Sequence, residues 1–373
     1  MTSGSGGARA PVVFVTHEAT LTGAPVGLLQ LLRWLRQHTD LDFELVLLEG
    51  GALTDRLAEV APMRSVEELI TGPPPEVLFL NSSFSARVLT AAPFEGSYVI
   101  ARVPELGWAI DHVLPEATRR IWLDRSDRFI AVSERVRRLL IDEQGVPADR
   151  VVTIHGFIPS AEVRATAGAI EAARSRAGIP AGTSVVGAVG VRSWRKGVDL
   201  FVQVADVVRR RRPDRDVRFV WLGDGDGSRT HRAVGPDVTR AGLDRCVHLL
   251  PDHPEPAPTQ AMMDVILSTS REDPFPRVCL EAAALARPIV AFDSGGVEEL
   301  LAAAGVDVLD YGDVEGMADQ VLALRDDPDR AAAEGGRLAE VVRTRHDLSV
   351  GAPAVLAEIQ RGRERVARSV GGP

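Results

Sequence analysis

The sequence predicts an α/β protein built from two doubly wound parallel sheets. Three observations lead there. Short apolar runs rich in Val, Ile and Phe recur between longer stretches of helical pattern, as buried parallel strands joined by helices do. The runs fall into two series separated by a Pro- and Gly-bracketed stretch, and 373 residues suit two domains of roughly 150–200 residues better than one core.

In the first series the runs are Val12–Val15, Phe43–Leu48, Val77–Leu80, Tyr98–Val103, Phe129–Val132 and Val151–Ile154. The second series is Val185–Val189, Val217–Leu222, Val247–Leu250, Val265–Ser268, Pro288–Phe292 and Val306–Leu309. Each set makes a Rossmann-like sheet. Between them, from Gly156 to Thr183, Pro159, Gly168, Pro180 and Gly182 bracket a short Ala- and Arg-rich helical segment. The expected organisation is a flexible N-terminus over 1–10, a first domain over 11–165, a linker over 166–183 and a second domain over 184–350. A C-terminal helix over 351–373 is expected to cross back. No fixed-period repeat is present, which excludes a solenoid.

Composition limits the functional classes. Apolar residues make up 45% and charged residues 25%, ordinary for a globular chain. The net charge of −9 argues against general nucleic-acid binding, because phosphate affinity needs an excess of Lys and Arg. The run Arg209 to Arg212 is followed by Asp214 and Asp216 and reads as a solvated helix end. With Cys246 and Cys279 alone there is no disulfide framework and no four-cysteine zinc set. No apolar run approaches the ~20 residues needed to span a bilayer, and the first residues lack the apolar core of a signal peptide. The expectation is a cytoplasmic protein. Leu28, Leu31, Leu32 and Leu35 form one stripe of a helix, Leu28–Gln37, that suits core packing better than a membrane surface.

Ligands of open parallel sheets bind beyond the carboxyl ends of the strands, so two such sheets facing each other form a cleft lined by those loops. The richest loop runs from Ser270 to Glu281, after Val265–Ser268 and into the helical Ala282–Ala286. Free amides at a helix start attract phosphate, and Asp273 and Glu281 offer acceptors for sugar hydroxyls. An Asp cap with a Pro at the first helical position and a solvated Glu would leave the same trace. A second loop, Gly190 to Gly197, places Arg192, Arg195 and Lys196 directly after a strand, where cations suit charge developing on a leaving diphosphate. A third, Thr16 to Pro25, carries Gly23 at a helix entrance, where the backbone can approach a ligand closely.

The run Asp273-Pro-Phe-Pro-Arg-Val-Cys-Leu-Glu281-Ala-Ala-Ala resembles the E-x7-E signature of family-4 retaining glycosyltransferases, with Asp273 in place of the first Glu. Pro288-Ile-Val-Ala-Phe followed by Gly295-Gly296-Val-Glu-Glu resembles the strand and turn downstream of it, and the likeness extends over nearly the whole chain. The resemblance implies the GT-B fold, in which the two domains face across a cleft, and a nucleoside-diphosphate sugar as co-substrate. It implies that Asp273 contacts the donor sugar and Glu281 the ribose. Amides near Arg277, Val278 and Cys279, with Phe275 alongside, would lie by the diphosphate; Pro276 has no N–H to give. Lys196 matches the family's phosphate-clamp lysine because it precedes Gly197; the clamp arginine could be Arg192 or Arg195. Gly23 and Gly190 fall in the corresponding glycine-containing loops.

One departure stands out. After Tyr98–Val103 the related enzymes carry a His that reaches the donor sugar; here the chain reads Pro104-Glu105-Leu106-Gly107. That contact is absent or supplied by Glu105, Arg102 or His17. Gly223-Asp224-Gly225-Asp226 contains an Asp-x-Asp, but its place after Val217–Leu222 suits a Gly-rich turn, and no metal or other cofactor is expected. Ser133-Glu134 resembles a strand-end pair that packs the first domain or touches acceptor.

The expected function is a retaining transfer of a sugar from a nucleoside-diphosphate sugar to a hydroxyl or amine of a small-molecule or glycan acceptor. Lys196, Arg192 and Asp273 are the expected catalytic residues. The alternatives are an altered relative that couples a cyclitol or hydrolyses its donor, and a non-catalytic sugar-nucleotide-binding protein. No nucleic-acid or membrane partner is expected. The sequence does not set the nucleobase, the sugar, the acceptor or the oligomeric state.

Overall fold

The computed structural model describes residues 11–213, 216–224, 227, 229–253 and 255–370. The expected flexible segment 1–10, the Asp214 that follows the arginine run, and Gly225 and Asp226 of the Asp-x-Asp lie outside the described residues. The chain forms two compact units. The first takes the chain up to Gly156 together with the segment from Leu348 onward; the second is Phe157–Asp347.

The first unit holds a six-stranded parallel sheet of β1 (Val12–Thr16), β2 (Phe43–Leu47), β3 (Val77–Leu80), β4 (Tyr98–Val103), β5 (Arg128–Ala131) and β6 (Val151–Thr153), in the order β2-β1-β3-β4-β5-β6. β1 and β3 are buried throughout, so they read as continuous apolar runs rather than alternations. The order reverses between β1 and β3, and the crevice at their carboxyl ends is where such sheets bind ligands.

The helix Gly23–His38 buries Leu28, Leu29, Leu31, Leu32 and Leu35, so its apolar stripe is core, and it contacts the last helix, Leu348–Val370. That last helix docks on the first sheet. Glu358 pairs with Arg128 at 2.8 Å and Arg363 with Glu76 at 2.7 Å, and a side chain at Gly362 would put its Cβ 2.5 Å from the Tyr98 ring. Glycine is therefore the residue that fits where this helix crosses β4.

The second unit holds a five-stranded parallel sheet of β7 (Ser184–Val189), β8 (Val217–Leu222), β9 (Val247–Leu250), β10 (Val265–Ser268) and β11 (Ile289–Ala291), in the order β11-β10-β7-β8-β9. Its order reverses between β7 and β10. Phe201, from the helix Val198–Arg211, meets Phe219 and Trp221 edge to face at 5.7 and 5.3 Å, which anchors the helix that follows β7 on the sheet. The arginines at the end of this helix are all paired: Arg209 and Arg210 with Asp206, Arg211 with Glu315 and Asp319, and Arg212 with Asp326.

Two expectations are corrected. The run Val306–Leu309 does not form a strand; only Leu309 bridges, to Phe292, through its N–H to Ala291 O and its carbonyl to Asp293 N–H. It lies at the sheet margin, where Val306 and Val308 are only half-buried and nothing beyond pairs with it. The segment 166–183, read as a linker with a short helical segment, does carry the helix Ala167–Arg176, but it falls inside the second unit and not between the two. The chain leaves the first unit at Gly156 and re-enters it at Leu348. Among the described residues no helix is long and apolar enough to cross a membrane.

Candidate functional site

The reversal of the second sheet falls between the two loops singled out in the sequence. The loop after β7 begins at Gly190, whose carbonyl accepts from Trp221 Nε1 at 2.7 Å. Gly223, at φ 141°, packs so closely on that carbonyl that a Cβ would stand 2.2 Å from it. The loop ends at Gly197, in the left-handed region at φ 69°, where a Cβ would meet Thr269 O at 2.0 Å. The Thr269 hydroxyl donates back to the carbonyls of Gly197 at 3.0 Å and Lys196 at 3.2 Å. Loop and strand end are thereby fixed to each other through backbone.

The Lys196 side chain runs past Gly190 and its ammonium pairs with Asp273 Oδ2. Both groups are largely buried, with side-chain exposures of 14% and 7%. Asp273 is held in turn by the turn after β11: its N–H donates to Ser294 O at 2.9 Å, and Gly296 N–H donates to its carbonyl at 3.1 Å. The Gly295-Gly296 turn thus positions the acid from behind.

The two candidate arginines part company. Arg195 Nη1 donates to Glu272 O at 3.0 Å and so lies with the Asp273 loop, whereas Arg192 Nη1 donates to Leu250 O at 3.2 Å, toward the end of β9. Each guanidinium retains further donors. Arg271 was not singled out in the sequence. It grips Asp199 with two bonds of 2.9 and 2.7 Å, donates to Trp194 O at 2.7 Å and lies over the Trp194 ring at 5.2 Å. Its burden is the tie between the loop after β10, the Lys196 loop and the first turn of the following helix.

The helix Arg277–Ala284 opens behind Pro276 and presents Glu281, which takes Arg277 Nε at 2.8 Å and Gln260 Nε2 at 3.3 Å. Cys279 and Leu280 N–H both donate to Pro276 O, which removes the Cys279 amide from the set a diphosphate could use and leaves Val278 ahead of it. The Cys279 thiol is buried, and desolvation with the Asp273 charge pushes its pKa up to about 12, so it is inert. Phe275 is also buried, its ring 5.1 Å from that of His346. These two serve packing in this structure.

In the first unit, Gly23 stands exposed at the start of its helix, and Thr22 does not cap that helix with its side chain. The Thr22 hydroxyl instead donates to Glu18 Oε1 at 3.1 Å, beside Thr20 at 2.7 Å and His17 Nε2 at 3.5 Å. The His17 contact, followed by those hydroxyls, holds the Glu18 pKa down at about 2 against partial burial. Glu105 is buried and accepts from Ser82 Oγ at 2.5 Å and Ser83 N–H at 3.2 Å; desolvation raises its pKa. Arg102 donates to Asn81 Oδ1 at 3.3 Å, and Asn81 donates to Ala24 O at 3.0 Å. His17, Glu18, Asn81, Ser82, Ser83, Arg102 and Glu105 thus collect at the carboxyl ends of β1, β3 and β4, around the reversal of the first sheet.

Ser133 is buried and caps the helix Glu134–Arg138, accepting from Val136 N–H at 3.1 Å, while Glu134 is exposed. Asp224 is exposed, and its carbonyl accepts from Arg192 N–H at 2.7 Å, in keeping with a turn.

Two family models match the chain, one over each half. Residues 5–162 match Glycosyltransferase Family 4 and residues 183–327 match Glycosyl transferases group 1. The chain belongs to the family-4 glycosyltransferases. A D-inositol 3-phosphate glycosyltransferase of Corynebacterium aurimucosum is 26% identical over 64% of this chain and 59% of its own length. A 2-deoxystreptamine glucosyltransferase of Streptomyces kanamyceticus is 28% identical over 70% of this chain and 61% of its own. The chain therefore spans about three fifths of these relatives. The fold is that of Anabaena Alr3699/HepE solved with UDP and glucose, at a TM-score of 0.84 and 17% identity over 95% of this chain and 100% of that one. A family-4 chain with that fold has two parallel-sheet α/β domains of GT-B type.

Proposed function

We propose that the chain transfers a sugar from a nucleoside-diphosphate sugar to a hydroxyl or amine of a small-molecule or glycan acceptor, with retention at the anomeric carbon. The Lys196–Asp273 pair carries this reading. It joins a cation and a sugar-hydroxyl acceptor at the reversal of the second sheet, the place where open α/β sheets receive nucleotides. Family membership and the likeness to a fold solved with UDP and glucose support it.

In the reaction the bond from the anomeric carbon to the diphosphate oxygen breaks, and its electron pair stays with the diphosphate. The acceptor oxygen or nitrogen bonds to the same face of that carbon, and its proton passes to the departing diphosphate oxygen. An ammonium has three donors, so Lys196 keeps Asp273 with one and meets the departing diphosphate with another. Arg195, held with the Asp273 loop, adds a second cation, and Arg192 contributes its charge from the start of the same loop, toward the end of β9. Asp273 holds the sugar, Glu281 the ribose, and the amide of Val278 faces a phosphate oxygen. Because side chains supply the positive charge, the reaction requires no metal.

A donor panel tests this reading. UDP-, GDP-, ADP- and dTDP-linked sugars are offered in thermal-shift and calorimetric titrations, since a ligand raises the melting point with the logarithm of its concentration over Kd. At least one is expected to bind and to be consumed on addition of acceptor; a protein indifferent to all of them is not a sugar-nucleotide enzyme. A second reading rests on Pro104, which removes the side chain expected to reach the sugar. It describes a protein that hydrolyses its donor, couples a cyclitol, or binds a sugar nucleotide without turnover.

A further inference from the structure

Glu281, the proposed ribose acceptor, is held by the protein at both of its oxygens. Arg277, one turn earlier in the same helix, gives Nε to Oε1 at 2.8 Å, and Gln260 gives Nε2 to Oε2 at 3.3 Å. A carboxylate offers about four lone-pair sites over its two oxygens, so each oxygen keeps one for a further donor. The Glu281 side chain is 14% exposed and is not sealed off.

The two holders differ in kind. Arg277 makes an ordinary pair along its own helix. Gln260 comes from the short helix Ala257–Ala261, 21 positions earlier, and is wholly buried. Its backbone is fixed on both sides: its N–H donates to Pro256 O at 2.9 Å, and its carbonyl accepts from Met263 N–H at 3.0 Å. With Nε2 turned to the carboxylate, Oε1 is buried and has no partner among the described residues. A buried amide oxygen left unbonded weakens the fold, and an apolar side chain of the same length would avoid that. Ala261, Met262 and Met263, which follow it, are buried and apolar, so the surroundings would accept such a side chain.

We infer that Gln260 is a positioning residue: it fixes the plane of the Glu281 carboxylate, so that the remaining lone pairs of Oε1 and Oε2 stand ready for the two hydroxyls of a ribose. The inference rests on the reading of Glu281 as the ribose acceptor and adds to it the residue that makes that acceptor selective. Gln260 touches no reacting atom and acts through Glu281. Held from its own helix alone, the carboxylate can turn about Cγ–Cδ and lose the match. A site built to bond a hydroxyl rejects an analogue lacking it, because the site's own polar group is then left unpaired. An amide that weakens the fold where it stands, and whose one side-chain hydrogen bond among the described residues goes to Glu281, fits that use.

The test compares ribose with dideoxyribose. Calorimetry on the full chain gives Kd for UDP, GDP and ADP and for their 2′,3′-dideoxy counterparts. The proteins are the wild type, Gln260→Met, which keeps the side-chain length, Glu281→Ala, and the double variant; melting points are taken beside them. The wild type is expected to prefer a ribonucleotide over its dideoxy counterpart by about 10²-fold or more. Gln260→Met should cut that preference at least about ten-fold, with affinity for the dideoxy form unchanged and the melting point no lower. In the Glu281→Ala background the same change should have no further effect, since it passes through that carboxylate. A Gln260→Met variant with the wild-type preference would overturn the proposal. One that loses ribo and dideoxy forms alike, or melts lower, would also do so, by making Gln260 a merely structural residue. Equal binding of both forms by the wild type would overturn it by taking Glu281 away from the ribose. A wild type that binds none of the nucleotides is a separate result, which sinks the nucleotide-sugar reading and this inference with it.

Discussion

Lys196 and Asp273, 77 positions apart in the chain, form a buried ion pair between the loops that follow β7 and β10. Each partner is anchored by its own backbone, Lys196 through Thr269 and Asp273 through Ser294 and Gly296. The pair is therefore set in place before any ligand arrives.

Removing the ammonium should slow turnover far more than it weakens donor binding. Lys196→Ala is expected to lower kcat by about 10²–10³, as loss of one preorganised donor to a developing charge does. Steady-state transfer assays beside calorimetric donor Kd values check this. A variant whose loss lies wholly in Kd would make Lys196 a binding residue only.

Gly197→Ala should damage the fold itself. The left-handed φ costs about 1–2 kcal/mol for any L side chain, before the Cβ meets Thr269 O. A lowered melting point is expected, with loss of donor binding following from the displaced Lys196. An unchanged melting point would mean that this loop is free to move.

Arg271→Ala should loosen the Lys196 loop from a distance. Hydrogen bonds to charged groups contribute about 1.5–3 kcal/mol where they are well formed, and Arg271 makes two to Asp199. Stability and kcat are both expected to fall, whereas Arg271→Lys, which cannot reproduce the fork, should recover only part. Denaturant titrations and transfer assays read the two effects separately.

Acid should reveal Glu18. Its folded pKa is held at about 2, below the ordinary 4.5, so the stability it adds is present above pH 4.5 and is lost as pH falls through the folded value. The stability difference between wild type and Glu18→Gln should accordingly shrink between about pH 4.5 and pH 2. Equal pH slopes for the two proteins would mean that the His17 and threonine bonds do not act on the carboxylate.

Much of the fold was legible because fully buried parallel strands write themselves as apolar runs; β1, β3 and β10 are examples. Val306–Leu309 has the same composition but sits at a margin, and sequence alone does not say which run finds a neighbour. Lys196, Asp273 and Glu281 were visible because each sits in a short motif next to a strand end. Arg271 with Asp199, and Glu105 with Ser82 and Ser83, were not, since their partners lie 72, 23 and 22 positions away. Phe275 and Cys279 drew attention for their place in the motif, yet they point into packing, and the motif does not record which way a helix face turns.

The return of Leu348–Val370 to the first sheet makes the second unit, in chain order, an insertion into the first. A ribosome delivers all of Phe157–Asp347 before it has supplied the helix whose Glu358 and Arg363 fasten onto Arg128 and Glu76. The half that carries Lys196 can thus mature while the half that carries Glu18 still waits for its last piece. Shortening the chain from its end would strip the Glu18 half of its support first, long before it touched the Lys196 half.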